Sequence, residues 1–145
     1  MITTHGNIEI PQSIIDHADL IKFENYKVNT PTEFQINRYA VGSEALVRDL
    51  SIVTNIPEEK LDFVFFSVCN GAEPHVDALD GTKFEDTTFV IPVILPGGVS
   101  IITAEEYSSA VCVGGVYEFD HTKIHSMTVE DNKSGCVVIM VAVKK

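Results

Sequence analysis

The run "CVVIMVAV" (136–143) is uninterrupted apolar sequence, and it has the length of one buried strand. A second run, "FVIPVIL" (89–95), has the same character. Both are far shorter than the roughly 20 apolar residues with which a helix crosses a bilayer. They therefore predict strands that are buried on both faces of a sheet, and no membrane segment.

Similar short runs rich in β-branched and aromatic residues fill the sequence from residue 62 onwards. They are "DFVFFSV" (62–68), "TTFVIPVIL" (87–95), "VSIIT" (99–103) and "GVYEF" (115–119), and turn sequences such as "NGAE", "LDGT" and "VGG" separate them. Short strands without intervening helices indicate an antiparallel barrel or sandwich. The predicted fold is mainly β, a double-stranded β-helix (a jelly-roll or cupin-like barrel) over residues 62–143.

Residues 1–60 have a different pattern of apolar and polar residues, which predicts a mixed α/β lead-in with a short helical part. "FQINRYAV" (34–41) alternates as a strand does, and "GSEALVRDLSIV" (42–53) has helical spacing, with Ser43 as its N-cap. "NIPEEKL" (55–61) carries a helix-start pattern. Because no linker or repeat interrupts the 145 residues, we expect a single domain over 1–145.

The composition excludes some classes of protein and favours one compartment. The formal net charge is −11 with only two arginines, which argues against a nucleic-acid or anionic-membrane partner, since such binding depends on basic patches. Three cysteines without CxxC spacing predict reduced thiols rather than disulfides or a zinc knuckle. The N-terminus lacks the pattern of a secretory signal. We therefore expect a cytoplasmic protein.

One polar pair follows the first strand-like run. "EPHVDALD" (73–80) holds His75 and Asp77 two residues apart, a spacing that puts both side chains on one face of an extended chain. An imidazole and a carboxylate on one face could bind one metal ion, although His-x-Asp alone is a weak signal. Fifty residues later, His125 lies between two strand-like runs, where a loop at a barrel mouth is expected.

The order of these segments resembles the double-stranded β-helix of the Fe(II)/2-oxoglutarate-dependent oxygenases. The segments are "FFSVCNGAEPHVD", "LPGGVSII", "GGVYEFDHTKIH" and "CVVIMVAV", and "FDHTKIH" is similar to the stretch before the distal histidine in aspartyl/asparaginyl and prolyl hydroxylases. The resemblance implies the metal ligands His75, Asp77 and His125, which would hold Fe(II) or another divalent metal. It also implies hydroxylation of a small-molecule or peptide substrate. His121, four residues before His125, is expected to be solvated or to support the ligands from behind.

One position departs from that family. An arginine usually follows the distal histidine by about ten residues and pairs with the second carboxylate of 2-oxoglutarate, but here that position is Gly135. Three other cations could take its place. Lys83 is expected first because it follows His-x-Asp closely, Arg38 second on an early strand, and Lys133 third in "EDNKSG".

Two alternatives to the oxygenase remain open. A cupin shares the barrel and binds a divalent metal, but its motif has His-x-His first, and Asp120 and Thr122 stand where it has Pro and Gly before the last histidine. A non-catalytic barrel with a vestigial metal site is the other. The sequence identifies neither the substrate nor whether the chain forms a homo-oligomer.

Overall fold

The structure, a computed structural model, describes residues 1–28, 36–40, 43–69, 71–77, 79–130 and 135–145. Within these ranges the chain forms ten strands, two α-helices and one 3-10 helix. In chain order they are β1 (Thr3–Asn7), α1 (Gln12–Val28), β2 (Ile36–Ala40), α2 (Glu44–Thr54), the 3-10 helix (Glu58–Lys60), β3 (Leu61–Cys69), β4 (Ala72–His75), β5 (Phe84–Ile94), β6 (Ser100–Ala104), β7 (Tyr107–Ala110), β8 (Gly115–Asp120), β9 (His125–Val129) and β10 (Cys136–Lys144).

The strands form two antiparallel sheets. The larger has the order β1-β8-β5-β10-β3-β2, and the smaller has the order β4-β9-β6-β7. Side chains from both sheets, among them Val138 of β10 and Ile102 of β6, share one hydrophobic cluster, so the sheets pack face to face. The predicted mainly-β jelly-roll is confirmed.

Strand β10 lies between β5 and β3 and is buried on both faces. Val137, Ile139 and Val141 point into a cluster shared with Ile14 and Ala18 of α1. Val138 lies in the cluster between the two sheets, and Met140 packs against it. A strand covered on both faces must be apolar at every position, which explains "CVVIMVAV".

The predicted lead-in is partly confirmed. Helix α2 begins one residue after its predicted N-cap, and the Leu46 backbone N–H donates to the Ser43 hydroxyl at 3.2 Å. The predicted strand over 34–41 appears as Ile36–Ala40, and residues 34, 35 and 41 lie outside the described residues. The helix start predicted at 55–61 appears as the 3-10 helix Glu58–Lys60, which directly follows Pro57, rather than as an α-helix. Among the described residues, no helix has both the length and the apolar character needed to cross a membrane.

Gly114, just before β8, hydrogen-bonds to Pro92 of β5 and to Ile8, which follows β1, and its position should tolerate no side chain. Its N–H donates to the Pro92 carbonyl at 2.9 Å, and its own carbonyl accepts from the Ile8 N–H at 2.8 Å. Its φ is +82°, and an added Cβ would lie 2.7 Å from the Ile8 oxygen. Gly6 also has a positive φ, of +95°, but a Cβ there would meet nothing within 4 Å.

Gly114→Ala should therefore destabilise the protein more than Gly6→Ala. We expect Gly6→Ala to lower the free energy of unfolding by about 1–2 kcal/mol, the cost of a left-handed φ for a residue with a Cβ. Gly114→Ala adds the backbone clash to that cost, and urea unfolding should show the larger loss. Equal losses would mean that the backbone around Ile8 can move away from the added Cβ at little cost in free energy.

Candidate metal centre

Two histidines face each other across strands of the smaller sheet. His75 is the last residue of β4 and His125 is the first residue of β9, and the two are directly paired in the antiparallel ladder. Their ring centroids lie 4.4 Å apart. The expectation that His125 lies in a loop is wrong, because the strand begins at this residue and pairs with both β4 and β6. Strand pairing therefore sets the distance between the two rings.

Asp77 completes the group from just beyond the end of β4. Its Oδ1 lies 3.4 Å from His75 Nε2, and its Oδ2 lies 3.4 Å from His125 Nε2. One potential ligand atom from each of the three residues falls within 4.8 Å of the others. A metal ion bound about 2.1 Å from each of two atoms keeps them roughly 3.0–3.4 Å apart, depending on the angle between them. The structure thus brings the three predicted ligands together at a separation that suits one ion.

The backbone fixes which nitrogen of each ring faces the carboxylate. His75 Nδ1 lies 2.6 Å from the Glu73 carbonyl, and His125 Nδ1 lies 2.8 Å from the Lys123 carbonyl. A carbonyl can only accept, so each Nδ1 carries a proton, and Nε2 of the neutral ring is the nitrogen that can bind a metal. His125 Nε2 is buried and has no hydrogen-bond partner among the described residues, although the Asp77 carboxylate is 3.4 Å away. Lone pairs that converge in this way suit a cation, so the residues present fit a metal ion.

The group lies at the mouth of a pocket between the two sheets. The His75 side chain is 34% exposed and that of Asp77 16%, whereas the His125 side chain, at 6%, lies deepest. Apart from these three, the pocket is mostly apolar, with Ser67 and Ser126 as its other polar lining residues. Its apolar lining residues are Ala72, Val90, Ile102, Phe119, Met127, Val138 and Met140. These apolar residues were not predicted as part of the site, although the position of Met127, two residues after His125 on the same strand face, was predictable from that spacing.

The structure describes the position of two of the three predicted cations in the chain. Lys83 is exposed in the turn before β5, and it is not among the residues that line the pocket. Hydrogen bonds from the Thr82 side chain and backbone hold the pKa of Asp80 below its ordinary value, and the nearby Lys83 charge lowers that pKa further. Arg38 in β2 pairs directly with Ser67 in β3. Lys133 lies outside the described residues.

His121 is buried, which corrects the expectation that it is solvated. Only 3% of its surface is exposed, and its ring Nε2 lies 2.9 Å from the Glu85 carbonyl. Its backbone carbonyl accepts a hydrogen bond from the Asp77 N–H at 3.0 Å. The other expectation, that His121 contacts a metal ligand without binding the metal itself, agrees with this hydrogen bond to Asp77.

Comparison with known proteins shows the fold but no family. No protein-family model matches the sequence, and no curated protein matches it either. Among solved structures, AviO1 from Streptomyces viridochromogenes has a TM-score of 0.59 at 10% identity and covers 99% of this chain and 89% of its own.

Two prolyl hydroxylases are also similar in structure. The Trichoplax adhaerens prolyl hydroxylase, solved with a hypoxia inducible factor peptide, has a TM-score of 0.58 at 9% identity and covers 99% of this chain and 83% of its own. The Pseudomonas putida prolyl-4-hydroxylase has a TM-score of 0.51 at 13% identity and covers 100% of this chain and 91% of its own. At such low identity these likenesses establish a shared fold, a jelly-roll common to this chain and the prolyl hydroxylases.

Proposed function

We propose that the protein is an Fe(II)-dependent oxygenase that hydroxylates a small-molecule or peptide substrate with a 2-oxo acid as co-substrate. The observation that carries this proposal is the convergence of two imidazole lone pairs and one carboxylate at the mouth of an apolar pocket. Two histidines and one carboxylate bind one side of a metal ion and leave its other positions open, as non-haem iron oxygenases require. The shared fold with prolyl hydroxylases supports the same conclusion.

The metal, when bound, would supply the activation of O₂. In that chemistry one oxygen atom would enter a substrate C–H bond to give C–OH, and the other would enter the acid formed as the 2-oxo acid loses CO₂. The chain itself holds the ligands and excludes water. The Glu73 and Lys123 carbonyls orient the two rings, and the apolar walls keep solvent away from the reacting groups.

2-Oxoglutarate, the 2-oxo acid that the sequence resemblance implies, needs a cation for its second carboxylate. An unpaired carboxylate inside an apolar pocket of a protein with a net charge of −11 would be costly. Of Arg38 and Lys83, Arg38 has the more suitable position, because Arg38, Ser67 and Val138 form one row across β2, β3 and β10. Ser67 and Val138 both line the pocket. We therefore place Arg38 before Lys83, and Lys133 remains a third prediction.

Anaerobic titration of the Fe(II)-loaded protein with 2-oxoglutarate tests this proposal. A chelated 2-oxo acid should produce a charge-transfer absorption band that saturates. Arg38→Met should raise the half-saturating concentration at least tenfold, the scale of a charged hydrogen bond. Lys83→Met removes the same charge from the exposed turn and should leave the half-saturating concentration unchanged. If neither band nor 2-oxoglutarate consumption is found, the oxygenase proposal fails.

The apolar lining favours a second candidate, a cupin-type metal protein that does not use 2-oxoglutarate. Among the described residues that line the pocket, none is Lys or Arg. Tight metal binding without any 2-oxo acid response would support this candidate, and absence of metal binding would indicate a non-catalytic barrel.

A further inference from the structure

The carboxylate of the candidate metal centre is not held by strand pairing. Strand β4 ends at His75, so Asp77 follows it in irregular backbone. The Asp77 N–H donates a hydrogen bond to the His121 carbonyl at 3.0 Å. The position of Asp77 therefore depends on where His121 is held.

His121 is itself anchored to the larger sheet by its backbone and its ring. Its N–H donates to the Asp86 carbonyl at 3.0 Å, and its ring Nε2 lies 2.9 Å from the Glu85 carbonyl, both in β5. Nε2 carries the proton because a carbonyl only accepts. The other ring nitrogen, Nδ1, is buried and has no hydrogen-bond partner among the described residues, so Nε2 provides the ring's polar anchor there.

The two sheets thus contribute different parts of the site. His75 and His125 are paired with each other in the smaller sheet, whereas Asp77 is tied through His121 to β5 of the larger sheet. The 3.4 Å separations between the carboxylate and the two Nε2 atoms depend on this second attachment. A shift of a few tenths of an ångström at His121 would be passed directly to the carboxylate.

We infer that His121 is a positioning residue, which sets the Asp77 carboxylate against the two imidazoles through the bond from its ring to the Glu85 carbonyl. This inference rests on the proposed metal-binding function of the site. It goes beyond the three ligands, because His121 supplies none of the converging ligand atoms. Its role is to keep the carboxylate at a position from which it can bind the same ion as the two imidazoles.

Co²⁺ affinity, measured on the full chain by calorimetry, tests this role without relying on turnover. His121→Met keeps the buried volume but removes the N–H, and it should weaken Co²⁺ binding by about 10–100-fold, the usual effect of losing a partner behind a metal ligand. His121→Gln places an amide N–H at a similar reach and should restore the affinity to within about threefold of wild type. His17→Gln, which changes an exposed histidine of α1, is the matched control and should have no effect.

The same substitution made in an Asp77→Ala protein distinguishes a positioning role of His121 from general damage to the fold. In Asp77→Ala protein the carboxylate is gone, so adding His121→Met should change Co²⁺ affinity less than twofold. The inference is overturned if His121→Met binds Co²⁺ like wild type, or if its loss is equally large without Asp77. If the wild-type protein binds no Co²⁺ at all, the proposed function falls together with the inference.

Discussion

Asp77→Asn should abolish tight metal binding while leaving the metal-free protein folded. The carboxylate is the only anionic member of the described ligand group, and its loss removes both a donor atom and the charge that balances a divalent ion. We expect Co²⁺ affinity to fall by about 10³-fold, roughly 4 kcal/mol. Thermal unfolding with and without Co²⁺ measures this, because an ion that binds only the folded state raises its stability.

The metal-free protein should stay folded, because an amide has nearly the same shape as the carboxylate and can still hydrogen-bond to one of the two rings 3.4 Å away. The control is Asp80→Asn, which removes the same charge from an exposed turn and should keep the response to Co²⁺. If Co²⁺ still raises the melting temperature of Asp77→Asn as much as that of wild type, Asp77 is not a ligand.

The sequence predicted the larger sheet well because its central strands carry their own signal. Strands β5 and β10 are buried on both faces, so they appear as continuous apolar runs that no other element explains. The predicted start of β5 at residue 87 was three residues late, because Phe84 is the one buried residue among the first three of the strand. Apolar runs identify the buried middle of a strand better than its ends.

The smaller sheet was much harder to predict. The sequences "AEPH" of β4 and "YSSA" of β7 are short and largely polar, and they are strands because neighbouring strands pair with them. In β9 the buried positions His125, Met127 and Val129 alternate with Ser and Thr, but a histidine at the first position hid that pattern. Pairing with another strand decides these assignments, with a partner distant in sequence for β4 and an adjacent one for β7, and a short polar segment alone does not contain that information.

The candidate site shows the same division between local and long-range information. The pairing of His75 with Asp77 was readable from a spacing of two, because it depends on local chain geometry. A supporting role for His121 was one of two expectations, but its contacts to Glu85 and Asp77 could not be predicted, since they join three separate segments. Lys83 was expected near the metal because it is close in sequence, but the turn around Asp80 leaves it exposed. Sequence proximity to a ligand does not determine which way the chain turns.

Strand β10 separates the stabilising core from the pocket, and two neighbouring substitutions should show this. Ile139 is completely buried in the cluster that packs against α1, on the face opposite the pocket. Ile139→Ala should lower the free energy of unfolding by about 2–5 kcal/mol, through lost burial and the cavity left behind. It should leave Co²⁺ affinity unchanged, because the three ligands line the pocket, which lies on the opposite face of β10.

Met140, the next residue, lies on the other face and should give the reverse result. It is only partly buried and lines the pocket, so Met140→Ala should cost clearly less stability than Ile139→Ala in urea unfolding. Because it widens the pocket beside the metal centre, it should change the half-saturating concentration of a 2-oxo acid, which Ile139→Ala should not. Equal stability losses, or a change in co-substrate binding for Ile139→Ala alone, would contradict the division of the two faces. The expected difference follows from strand geometry. Successive side chains of a strand point to opposite faces, so Ile139 lies in the core and Met140 lies beside the pocket.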